Sequence, residues 1–169
     1  MLKYLLLLLV TFLCASCTGY HLGGQRPSHL QAVKTLHVPL FANDTLQVRA
    51  GSHSTNATVD AIVRDGTYKI GSASNSDAML VGRVKNISYK QARSSSRDSL
   101  RSEELLMEIT LEWELCSLTN PGQILERGRS TGHTRFFAGG NLQVARTNAV
   151  ADAAKRASES LVARIADGF

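Results

Sequence analysis

Residues 104–115 alternate in character with a period of two. Leu105, Met107, Ile109, Leu111, Trp113 and Leu115 fall on one side of an extended chain. Glu104, Glu108, Thr110, Glu112 and Glu114 fall on the other, a pattern broken only by Leu106. Successive side chains point to opposite faces of a strand, so this run predicts one long, half-buried β-strand. Asn120-Pro121-Gly122 supplies a turn. Residues 123–137 then return as a second strand, which makes a long hairpin.

Other segments give weaker versions of the same signal. In residues 33–41, Leu36, Val38 and Leu40 alternate with Thr35, His37 and Pro39. This reads as a strand, with the proline marking a sheet edge or a strand end. Val59, Ile62 and Val63 have helical spacing and Asp65-Gly66 provides a stop, so a helix is expected over 46–65, firmest at 55–65. Residues 67–72 read as a short strand. Residues 78–90 read as a longer one, with a possible bulge at Gly82. Residues 91–102 are polar and read as a loop. Leu142, Ala145, Ala149, Ala153, Ala157, Leu161 and Ile165 recur at three- and four-residue steps, with Asn141 and Gly168 as caps. The order β-α-β-β-β-β-α implies an α+β fold: a four- to five-stranded mixed or antiparallel sheet with two helices packed on one face.

The N-terminus reads as an address. Lys3 is followed by an apolar run over residues 4–13, too short to span a bilayer, where about 20 residues are needed. It suits the core of a secretion signal. The closing Cys14-Ala15-Ser16-Cys17 resembles a bacterial lipobox, although Cys14 stands where such motifs usually carry leucine. That resemblance implies cleavage after residue 16 and acylation of Cys17. An ordinary signal cleaved by the common peptidase is the alternative. The expected organisation is a signal at 1–16, a lipidated Gly/Pro/Ser-rich tether at 17–30, and one domain at 31–169. Losing Lys3 with the signal leaves a net charge of +4, which suits polyanionic partners; export argues against nucleic acid. Cys116 would then be the sole free thiol, with no internal disulfide available.

Catalytic patterns are lacking. None of His21, His29, His37, His53 and His133 sits in a metal motif, and neither a nucleophile elbow nor a phosphate loop occurs. Glu104, Glu108, Glu112 and Glu114 read as the solvated face of an amphipathic strand rather than as paired catalytic carboxylates. Cys116 reads as an inert thiol. No enzymatic activity and no cofactor are expected. Basic residues are more informative. Lys90, Arg93, Arg97 and Arg101 surround a serine run, and Arg127, Arg129 and Arg135 lie on the following hairpin arm. Arginine forks pair well with phosphate. If the two groups meet at one end of the sheet, they make a phosphate-binding patch; the plainer reading is solubilising charge.

Four stretches together resemble the LptE family of lipopolysaccharide-assembly lipoproteins. Residues 17–24 resemble its Cys-Gly-Tyr-His-Leu opening, with Thr18 as an extra residue. VPLFAN at 38–43 resembles its first strand and turn, SDAMLVGRV at 76–84 its Ala-Asp-x-x-Leu-x-Gly strand, and 149–169 its alanine-rich last helix ending Asp-Gly-Phe. The resemblance implies an outer-membrane lipoprotein on the periplasmic face. Such a protein plugs the LptD β-barrel, helps it fold and assists lipopolysaccharide delivery. It also implies lipid binding through basic side chains, for which Arg93, Arg97, Arg101, Arg127 and Arg129 are candidates by charge. The alternative role is regulation of another periplasmic partner, such as a peptidoglycan synthase.

Overall fold

The computed structural model describes residues 26–94, 102–139 and 141–168. In chain order its elements are β1 (Thr35–His37), β2 (Ala42–Asn43), α1 (Ala50–Asp65), β3 (Lys69–Ile70), β4 (Ala78–Ser94), β5 (Ser102–Ser117), β6 (Ile124–Phe137) and α2 (Leu142–Asp167). Short 3-10 turns occupy Ser28–Leu30 and Ala73–Asn75. The strands form one mixed sheet in the order β3-β1-β4-β5-β6, with β2 also paired to β4. β1 runs parallel to β3 and β4, whereas β4, β5 and β6 are antiparallel. The expected α+β architecture is what forms.

Strand β5 lies between β4 and β6, and one of its faces is buried, as its alternation demands. Met107, Ile109, Leu111 and Leu115 are wholly buried and Trp113 nearly so, all on the side covered by the helices. Each such side chain contributes roughly 1.5–3 kcal/mol through removal from water. Trp113 is fitted from both sides. In register with it lie Gly82 on β4 and Gly128 on β6. A Cβ at Gly128 would meet the indole, and one at Gly82 would meet the Phe41 ring. The indole Nε1 donates to Ser130 Oγ at 3.1 Å, so the one polar atom of the ring is satisfied in the core.

Alanine lets α2 approach the sheet closely. A Cβ at Gly132 would collide with backbone atoms of Ala153 and Ala157, so only a bare glycine admits the helix here. Helix α2 begins as the sequence implies: the Asn141 side chain accepts the Val144 amide at 3.2 Å. It ends on Gly168, at φ 81°, whose N–H donates to Arg164 O. Helix α1 lies beside α2, joined by a buried bond from Thr58 Oγ1 to Ser158 Oγ at 2.9 Å. Tyr68 Oη donates to Ile165 O at 2.7 Å, fixing the C-terminal end of α2. Burial, before the charges around it, pushes the Tyr68 hydroxyl up to about 12.

Several expectations shift. The strand expected over 33–41 is split. β1 ends at His37, β2 resumes at Ala42, and Pro39 lies in the gap where it owes the ladder no N–H. β1 is also interior, because β3 pairs outside it. Helix α1 starts at Ala50 rather than 46, where Gly51 is seated against the Phe41 carbonyl. The bulge expected at Gly82 lies instead between Val84 and Asn86, with further register shifts near Arg93. The polar stretch 91–102 is partly strand, since β4 runs to Ser94 and β5 starts at Ser102. Leu30 is fully buried, so the folded body begins inside the stretch read as a tether.

Candidate functional site

The helices cover one face of the β4–β5–β6 sheet, and the residues of opposite parity line the other. On β5 these are Glu104, Leu106, Glu108, Thr110, Glu112, Glu114 and Cys116, all half-buried. On β6 they are Arg127, Arg129, Thr131, His133, Arg135 and Phe137, all exposed. Register sets them in rows. Arg83, Glu112 and Arg129 form one row, and Val81, Glu114 and Arg127 the next. Ser88, Glu108 and His133 form another, and Lys90, Leu106 and Arg135 another. The face therefore carries an acidic column on β5 beside a basic one on β6, with Arg83 and Lys90 adding positive charge from β4, an arrangement cross-strand pairing favours.

Part of this charge is paired. Arg129 reaches Glu112 at 2.6 Å. Arg83 donates to Asp44 at 2.6 Å, and Lys85 joins the same carboxylate at 3.3 Å. The hydrogen bond from Arg83 is the main influence holding the Asp44 carboxyl below its usual range, with Lys85 adding to it against desolvation. Arg127 and Arg135 form no ion pair among the described residues, although Arg127 lies across from Glu114. A shallow groove of about 520 Å³ crosses this part of the face, lined by Val81, Arg83, Glu112, Glu114, Arg127 and Arg129 together with backbone at Gly82, Trp113 and Gly128. Such a surface can bind ions and polar headgroups or dock against a charged partner. It holds no convergent set of groups for bond-making chemistry.

The basic residues singled out from sequence divide into two places. Arg127 and Arg129 share the groove. Arg93 lies on β4 opposite Glu104, eight residues along β5 from the Glu112–Arg129 row, or about 26 Å at ~3.3 Å per residue. Arg127 and Arg129 thus lie far along the sheet from Arg93, because the β4–β5 and β5–β6 connections lie at opposite ends, whereas Arg135 shares a row with Lys90. Arg135, two rows from Arg93, is the arginine of β6 nearest to it. Arg97, Arg101 and Cys17 lie outside the described residues. Sequence reasoning missed Arg83 as a member of the groove and Asp44 as its ion-pair partner. The period-two spacing of Val81 and Arg83 was a usable signal, obscured by the register shift just beyond Val84.

The remaining titratable groups are structural. His37 Nδ1 lies 3.3 Å from Gly71 O. His29 and Arg164 both approach Glu126, at 3.3 and 3.6 Å, and so tie the start of the fold to β6 and α2. Burial, and then the Glu114 charge, push the Cys116 thiol up, away from the reactive thiolate. Asp77 accepts the Lys34 and Thr35 amides at 2.8 and 2.9 Å, and these bonds hold its carboxyl low. Among the described residues no three His, Cys, Asp or Glu side chains gather as a metal site. No described helix is long and apolar enough to cross a membrane.

Comparison with known proteins gives the same outline. Protein XCC0632 from Xanthomonas campestris is similar in fold, with a TM-score of 0.57 at 12% identity, over 85% of this chain and 89% of that one. The hypothetical protein CT253 from Chlamydia trachomatis is similar at a TM-score of 0.57 and 5% identity, over 79% and 95% of the two chains. At these identities the likeness speaks for the fold alone. No curated protein matches the chain at a significant level. The family model for LptE, described as lipopolysaccharide-assembly, matches residues 33–165, from two residues before β1 to the last turn of α2. A match over that length, through both helices and the whole sheet, places this chain in the LptE lipopolysaccharide-assembly family.

Proposed function

We propose that this chain is an outer-membrane lipoprotein, anchored on the periplasmic side through acylated Cys17, that seats in an LptD-type β-barrel and assists lipopolysaccharide delivery to the outer leaflet. The observation that carries the reading is the combination of family membership with a broad two-signed sheet face. A plug works by fitting, and a surface of ordered charge columns suits recognition rather than turnover. Two firmly held acyl chains or more would keep the domain at the membrane without a spanning helix.

Lipopolysaccharide is expected to engage arginine through its phosphates. Arg127 and Arg129 in the groove are one candidate set; Arg93, Arg97 and Arg101 are the other. Arg93 lies about 26 Å along the sheet from the Glu112–Arg129 row, so the two sets can be tested by separate mutations. Crosslinking in the intact envelope, followed by identification of the bound protein, tests the main reading. A large outer-membrane barrel as the dominant product supports it. A product dominated by a peptidoglycan synthase would replace it with a regulatory role. Charge reversal of each arginine set, assayed for salt-sensitive lipopolysaccharide binding, identifies which set meets lipid.

A further inference from the structure

Among the described residues the outer edge of β6 is unpaired. β6 is the last strand in the sheet order and pairs only with β5, over an unbroken register from Glu126 to Phe137. It has no proline, and its single register irregularity lies at its very start, beside Leu115 and Cys116. Its 14 residues offer about 46 Å of free backbone edge at ~3.3 Å per residue. Natural proteins usually shorten, bend or cover such an edge. Here α2 lies over one face of β6, at Gly132 and through the Thr134–Asp152 contact, and no described strand pairs beyond β6.

The side chains say what the edge admits. Charge varies across the sheet by column: basic in part on β4, at Arg83 and Lys90 beside Val81 and Ser88, acidic on β5, and basic on β6. The next column in that series is acidic and is missing, and Arg127 and Arg135 are the two arginines of β6 left without an acid among the described residues. A second copy does not supply it. Antiparallel pairing of β6 with itself about Thr131 would set Arg127 against Arg135 and Arg129 against His133, which is like charge directly opposite like charge. The same cations that repel a copy would attract an acidic strand, so one feature serves both exclusion and selection. We propose that the free edge of β6 is a strand-addition site for an extended segment of a different polypeptide bearing acidic side chains at alternate positions. Main-chain hydrogen bonds would supply the affinity, and the arginine column the register and choice. This inference does not depend on the partner being a barrel.

The test uses the full chain in detergent and a fluorescent probe peptide of about twelve residues, with Glu alternating with Thr and Val, ~40 Å when extended. Two controls accompany it: a scrambled peptide of the same composition, and the alternating peptide N-methylated at every second amide. The alternating peptide should bind at least about tenfold more tightly than either control. On binding, hydrogen exchange should slow at alternate amides of β6 and be unchanged in β3, the opposite edge. Arg127→Glu with Arg135→Glu should abolish the preference while leaving the circular dichroism spectrum intact. Equal binding of the scrambled peptide would mean charge attraction alone, and would overturn the proposal. So would an absence of binding at low salt, or β6 protection that rises with protein concentration without peptide, which would identify a second copy as the occupant.

Discussion

On the helix side of β5, Ile109, Leu111 and Leu115 are wholly buried. One residue along in each case, Thr110, Glu112 and Glu114 stay half-exposed on the open side. The same three strands thus present a dry, volume-limited surface and a wet, charge-limited one. On the first, shape decides: glycines flank Trp113 and Gly132 lies against the α2 backbone. On the second, registry decides, since Glu112 meets Arg129 only because the strands align them. Stability therefore belongs to one face and recognition to the other, and mutations one residue apart should separate the two.

The largest contrast is expected at Trp113. Trp113→Ala opens a cavity in the core and orphans the Ser130 hydroxyl, which should cost about 3–5 kcal/mol. Glu112→Ala, its neighbour in sequence, should stay within about 0.5 kcal/mol. Urea unfolding of both variants measures the gap, and near-equal losses would break the division between the faces. Gly132→Val comes next. Its side chain has nowhere to go without displacing α2, so a loss of about 1–3 kcal/mol or more is expected. The exposed neighbour Thr131 should accept valine with little change, as read by the same titration.

Tyr68→Phe probes the seam that closes the helix face. It leaves the Ile165 carbonyl without its donor, at a cost of about 1–2 kcal/mol. The hydroxyl is held neutral by burial, with a folded value of about 12 against an ordinary 10. Its contribution is therefore complete below pH ~10 and is lost as pH rises through the folded value. Wild type should lose stability over that alkaline window, and the Tyr68→Phe variant should not. Asp77 gives a smaller effect of opposite sign. Its carboxyl is held low by two backbone amides, so its contribution is present above the ordinary carboxylate value, about 3.9, and fades as pH falls through the lower folded value. The gap between wild type and Asp77→Asn should be constant above pH ~5 and close in acid.

How far sequence could reach depends on where each element gets its stability. β5 and α2 were legible because each carries its own period over many residues, and α2 also carries its own caps at Asn141 and Gly168. β1, β2 and β3 are two or three residues long and exist only as partners of β4 and of one another, so their split at Pro39 and their order could not be read locally. Of the site, the basic column on β6 was visible as Arg127, Arg129 and Arg135 at even spacing. Its opposition to Arg83 across Glu112 was not, because register is a tertiary property and the shift after Val84 scrambles the alternation of β4. The distance between Arg93 and Arg129 was hidden for the same reason. A hairpin places residues by distance from its turn, and Arg93 and Arg129 are counted from opposite turns.

The smallest expected effect is the most diagnostic of the open face. Arg129 and Glu112 lie 2.6 Å apart with side chains 64% and 36% exposed, a geometry in which ion pairs are heavily screened. A double-mutant cycle on Arg129→Ala and Glu112→Ala should give a coupling of about 0.2–1 kcal/mol in dilute buffer, shrinking as ionic strength shortens the Debye length. A coupling above that range, unmoved by salt, would mean the pair helps to hold the fold and would erase the contrast between the faces. A small coupling, joined to a clear loss of partner or lipid binding in Arg129→Ala, would mean that the guanidinium is retained for what it meets outside the molecule, with Glu112 keeping it extended over the groove until then.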